Sequence, residues 1–148
     1  TVGKLAVYPN GANVIPSKVT MSVDIRAKNA ALIEQIIQGI QQKLHQIQQQ
    51  RFTSTLTERI RVAPQQLDPK IHQCLAQESE RLGYRFKTMP SGAGHDAMFF
   101  ASIAPVGLVF VPSRHGLSHH PDEWTDYAQI EKGVDVVYAT IKALTKAE

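Results

Sequence analysis

Apolar and polar residues alternate strictly over residues 19–26, where Val19, Met21, Val23 and Ile25 interleave with Thr20, Ser22, Asp24 and Arg26. A period of two sends successive side chains to opposite sides of a strand, so one face is apolar and the other offers polar groups to water or a ligand. A shorter apolar run at residues 5–8 predicts a preceding strand, and Pro9, Asn10, Gly11, Ala12 and Asn13 reverse the chain between the two. From residue 29 to about residue 50 the spacing changes to three and four, through Ile33, Ile36, Ile37, Ile40, Leu44 and Ile47. That stripe predicts an amphipathic helix, with Asn29 as its cap and the glutamines at 46 and 48–50 on its solvated face. Residues 56–62 return to alternation, giving strand, strand, helix, strand.

Beyond Ala63, Pro64, Gln65 and Gln66 the pattern takes another form. Asp68 as cap and Pro69 at the first helical position open a helix that ends at Gly83. Residues 84–88 predict a strand, Gly94 opens a short helix reaching about Ser102, and the continuous apolar run of residues 108–111 reads as a buried parallel strand. A last helix carries Ile130, Val134, Val137, Ile141 and Leu144 on one face. The fold class is therefore α/β, with an α+β portion over residues 1–63, an α/β portion over residues 64–148, and no internal repeat relating them.

Composition narrows the function classes. A chain of 148 residues with 43% hydrophobic and 20% charged residues is ordinary globular material. No apolar run approaches bilayer thickness and the first residues do not resemble a secretion signal, so a soluble, cytoplasmic protein is expected. Its formal charge of +3 is small, with Lys and Arg scattered, which argues against nucleic acid and membrane as partners. The single cysteine, Cys74, falls in a helical pattern and reads as an apolar packing residue.

Two loops carry candidate chemistry. In the first, Ser91, Gly92, Ala93, Gly94, His95, Asp96 and Ala97 follow one another. Their glycines either let backbone N–H groups approach a substrate or simply shape a helix-opening turn, and His95 and Asp96 either orient each other and a substrate or cap the helix. In the second, Ser118, His119, His120, Pro121, Asp122 and Glu123 leave the carboxyl end of the buried run, where α/β sheets gather ligands. One of these imidazoles is a candidate metal ligand, set against the alternative of a solvated polar loop. Arg26 offers a planar fork for a carboxylate and Asn13 an amide that donates and accepts, although strand ends commonly carry Arg and turns commonly carry Asn.

These stretches occur in one order along the chain: Pro9 to Pro16, Asp24-Ile25-Arg26, the Ser-Gly-Ala-Gly-His-Asp-Ala loop, and Phe110-Val111-Pro112-Ser113 leading to Ser118-His119. Together they resemble the C-terminal part of the N-carbamoyl-L-amino-acid hydrolases, allantoate amidohydrolases and beta-alanine synthases, a branch of the dinuclear-zinc aminoacylase and exopeptidase superfamily. The resemblance implies that residues 1–63 are the second half of a lid and dimerisation domain and that residues 64–148 are the last segment of a catalytic domain. It implies a homodimer and a small carboxylate substrate held by Asn13 and Arg26. Gly94 and His95 would line the substrate, and His119 would be the final ligand of a centre holding two divalent ions, Zn2+ or Mn2+. No catalytic base is assigned. The resemblance departs at Ser17, where glycine is usual, and at His120. The family's His-x-Asp motif, paired glutamates and lid histidine have no counterpart here, so the chain is expected to be inactive alone. Two rival readings stay open: an aminoacylase or dipeptidase of the same superfamily, and a non-catalytic dimerisation module.

Overall fold

A computed structural model of the chain describes residues 1–48 and 52–146. The chain divides into two compact units, Thr1–Pro64 and Gln65–Glu148. The fold mixes helix and strand, in keeping with the α/β class.

The first unit holds strands β1 (Val2–Tyr8) and β2 (Lys18–Val23) and helix α1 (Ala30–Gln48). β1 and β2 pair antiparallel, with Leu5 opposite Met21, Val7 opposite Val19 and a register irregularity between Val2 and Lys4. The connecting loop turns where Asn10 adopts φ 60°, a left-handed backbone that asparagine tolerates. Ser17 N then donates to Tyr8 O at 2.9 Å and closes the loop. The apolar side of the hairpin is exposed, Met21 at 54%. α1 begins where Asn29 Oδ1 accepts from Ala31 N at 2.8 Å, the expected cap. The predicted last residues of this helix, 49 and 50, lie outside the described residues.

Residues 56–62, expected as a third strand, join no ladder among the described residues. A strand exists only through a partner's backbone, and β1 and β2 pair with each other alone. What ties this segment down is charge. Arg61 bonds Glu34 of α1 and also Glu58, with Nη2 to Glu58 Oε2 at 2.8 Å. These bonds hold the guanidinium's pKa above its ordinary value and that of the Glu58 carboxyl below it.

The second unit contains α2 (Pro69–Arg81), the single-turn α3 (Ala97–Phe100) and α4 (Tyr127–Thr145). Asp68 caps α2 as expected, its carboxylate accepting from Lys70 N at 2.8 Å and Ile71 N at 2.9 Å. The far end closes on Gly83 at φ 73°, where Gly83 N bonds Glu80 O and Tyr84 N bonds Ser79 O, both at 2.9 Å. This crossed pair satisfies carbonyls that the helix leaves open. Asp68→Ala removes an acceptor serving two otherwise unpaired N–H groups, and about 0.5–2 kcal/mol of stability should go with it. Urea denaturation followed by circular dichroism reads the loss.

α4 packs on α2, but not through the expected stripe. Val136 and Thr140 are the buried residues of α4, with Ala139 and Ala143 half-buried, and Ser79 is buried on α2. Cys74 faces the same seam, its Sγ 4.0 Å from Thr140 O, in keeping with a packing role. The predicted core face points outward instead, with Val134 at 61% and Ile141 at 56% exposure. Small residues let the two helix backbones approach, so that side wins the contact and the bulky stripe is left over. Ile130, Val134, Val137 and Ile141, with Val109 and Val111, then line an open apolar groove of about 370 Å³.

Residues 84–88 and 108–111 also form no ladder among the described residues, and Phe110 is 51% exposed, so the second expected strand is not buried here. Both segments are anchored by side chains. Tyr84 Oη donates to Asp135 Oδ2 at 2.9 Å, which raises the phenol's pKa. Gly107 and Gly133 leave room for Ile71 and Val111 respectively. Among the described residues no helix is long and apolar enough to cross a membrane.

Candidate functional site

In the first unit, Asn13 lies in the loop joining β1 to β2 and Arg26 three residues past the end of β2. The Arg26 fork is engaged by a neighbour that the alternation pattern had marked only as polar. Nε donates to Asp24 Oδ1 at 3.0 Å and Nη2 donates to Asp24 Oδ2 at 2.7 Å. Both side chains are more than half exposed. The Arg26 hydrogen bond holds the Asp24 carboxyl below its ordinary pKa, so an anion already sits on the arginine at neutral pH. A ligand carboxylate taking the same edge must displace it.

In the second unit, Gly92 and Gly94 do not take the left-handed backbone, and a Cβ at Gly94 would meet nothing closer than Met98 Sδ at 3.9 Å. Neither turn conformation nor packing among the described residues requires glycine at 94. His95 does not cap α3, and Asp96, at the cap position, makes no side-chain cap bond. The His95 imidazole instead meets Ser91, with Nε2 2.9 Å from Oγ, and packs edge-on against Phe110 at 5.4 Å between ring centroids. Ser91 belongs to the same loop, and its tie to the ring depends on an i to i+4 geometry that no helix announces.

His119 stands in the loop between the short turn Arg114–Gly116 and α4. Its backbone is left-handed at φ 57°, and Glu123 Oε2 accepts its N–H at 2.8 Å. His120 turns its Nδ1 toward Asp122 N at 3.1 Å. The base of this loop is fastened by residues that the sequence reading overlooked. Asp126 Oδ1 accepts from Arg114 Nη2 at 2.9 Å and from Trp124 Nε1 at 3.1 Å, while Arg114 N donates to Trp124 O at 2.7 Å. Asp126 is the residue before α4, a position that signals capping, yet its carboxylate makes no cap bond.

The described residues contain no group of three or more His, Cys, Asp or Glu side chains able to hold a metal ion. A bound zinc ion takes about four donors, of which three come from protein even at an open site. The His119 imidazole would supply one. The described residues therefore do not by themselves fit a centre of one or two ions.

Residues 6–143 match the family described as peptidase family M20/M25/M40. Over 99% of its length the chain is 36% identical to an N-carbamoyl-L-amino-acid amidohydrolase of Paenarthrobacter aurescens, covering 36% of that protein. Over 90% of its length it is 36% identical to an allantoate amidohydrolase of Bacillus subtilis, covering 33% of it. The crystal structure of an amidase of the hydantoinase/carbamoylase family from Burkholderia multivorans matches with a TM-score of 0.85 at 35% identity, over 95% of this chain and 34% of that one. The chain thus spans about a third of the length of the relatives it matches.

Proposed function

Because the chain belongs to the peptidase family M20/M25/M40, we propose that it forms the substrate-binding third of an amidohydrolase that cleaves the carbamoyl or ureido C–N bond of a small carboxylate. The observation that carries this reading is the near-complete match of the chain to one third of an N-carbamoyl-L-amino-acid amidohydrolase. Residues 1–63 act as half of a lid through which two copies pair, and residues 64–148 belong to the catalytic portion.

In this reading Arg26 exchanges Asp24 for the substrate's carboxylate and Asn13 adds a neutral hydrogen bond. The scissile group is thereby fixed in orientation and loses less freedom on reaching the transition state. The open approach at Gly94 lets the loop backbone meet the substrate, with the His95 ring beside it. His119, in a loop fastened at its base by Asp126, supplies one ligand of a divalent-metal centre, Zn2+ or Mn2+, whose other ligands come from residues outside this chain.

Two features support an incomplete unit: the lack of a converging ligand set among the described residues, and a core whose one buried apolar side chain there is Val136. The isolated chain should therefore show no turnover of N-carbamoyl-L-amino acids or allantoate with Zn2+ or Mn2+ added, measured as released ammonia or free amino acid. Clear turnover by the chain alone defeats the proposal.

A further inference from the structure

A serine hydroxyl has one proton to give and two lone pairs to offer. Around Ser91 three partners lie within hydrogen-bond distance. Oγ donates to Ala93 O at 3.1 Å and accepts from Ala93 N at 3.1 Å. The remaining contact is His95 Nε2 at 2.9 Å. With its proton on that carbonyl, the hydroxyl has just an acceptor left for the ring, and the imidazole then carries its own proton on Nε2.

We propose that Ser91 is a positioning residue that fixes His95 in the Nε2–H form, leaving Nδ1 as an acceptor that selects a substrate N–H. Phe110, edge-on to the ring, limits its rotation, so ring orientation and proton position are set together. The consequence for specificity rests on the amidohydrolase reading. A carbamoyl or ureido group carries N–H donors that can meet a bare ring nitrogen, whereas a carboxylate or an ester carbonyl offers only lone pairs and is refused there. His95 thus reads the nitrogen end of the substrate.

The test uses the chain labelled with 15N-histidine and long-range 1H–15N spectra at a pH where the ring is neutral. His95 should show a protonated Nε2, an unprotonated Nδ1 and a slowly exchanging Nε2 proton. Ser91→Ala should speed that exchange by roughly two- to ten-fold, the loss expected for one hydrogen bond. Ser91→Thr, which keeps the hydroxyl, should restore it. A ring protonated on Nδ1, averaged shifts like those of free histidine, or an exchange rate indifferent to Ser91→Ala would each overturn the assignment.

Adding N-carbamoyl-L-alanine should shift Nδ1, and acetate should not. No shift with either removes the N–H-reading half of the proposal while the tautomer half stands on the first measurement. The two halves, and the hydrolysis assay above, therefore fail separately.

Discussion

Replacing Arg26 with alanine should raise the KM for an N-carbamoyl-L-amino acid by about 10–100-fold, with a smaller change in kcat, once activity is reconstituted with the residues that complete the site. The estimate follows from losing charge-assisted hydrogen bonds to one carboxylate. Arg26→Lys should recover only part of it, because an ammonium restores the charge but not the two parallel donors. Asp24 makes the prediction sharper. Its carboxylate shares the Nε and Nη2 edge at 3.0 and 2.7 Å, so Asp24→Asn should lower the same KM by removing a charged competitor. A KM unmoved by Arg26→Ala would take Arg26 out of the binding site.

The second large effect concerns stability. Gly107 runs past α2 so closely that a Cβ there would lie 2.4 Å from Ile71 Cγ2 and 3.3 Å from Leu75 Cδ1. Ile71 is β-branched and half-buried, so its Cγ2 has little freedom to retreat. The adjoining backbone is held as well, since Asp68 N donates to Val106 O at 3.0 Å. Gly107→Ala should then cost about 1–3 kcal/mol through overpacking, and Gly107→Val more. Urea midpoints measure it. Combining Gly107→Ala with Ile71→Ala should cost less than the sum of the two, because the second change vacates the space that the first needs. Strict additivity would show that the clash is relieved elsewhere.

The helices were legible in the sequence because their determinants are local. Asn29 and Asp68 cap as their positions suggest, and Pro69 and Gly83 bracket α2. The β1–β2 hairpin was legible for the same reason, its two strands being neighbours in sequence across the loop of residues 9–17. Residues 56–62, 84–88 and 108–111 have the composition of strands, but a ladder needs a second backbone, and periodicity does not say where one lies. α4 shows a different limit. A hydrophobic stripe marks a side that can be covered, whereas the side that packs here is the one where Val136 and Thr140 are buried. In the candidate site, residue types such as Arg26, His95 and His119 stood out, but their partners did not. Asp24, Ser91 and Asp126 act through side-chain geometry that only coordinates display.

Gly133 sits where a Cβ would come within 2.6 Å of Val111 Cγ1, and it shares α4 with Thr140, whose buried hydroxyl has no partner among the described residues. Both places tolerate little drift: a larger side chain at Gly133 forces the segment at Val111 aside, and one at Thr140 presses on its buried surroundings. The outward flank has far more latitude, since Val134 or Ile141 can exchange with other aliphatics without disturbing a neighbour. Of the two sides of this helix, the less oily one is the more narrowly specified.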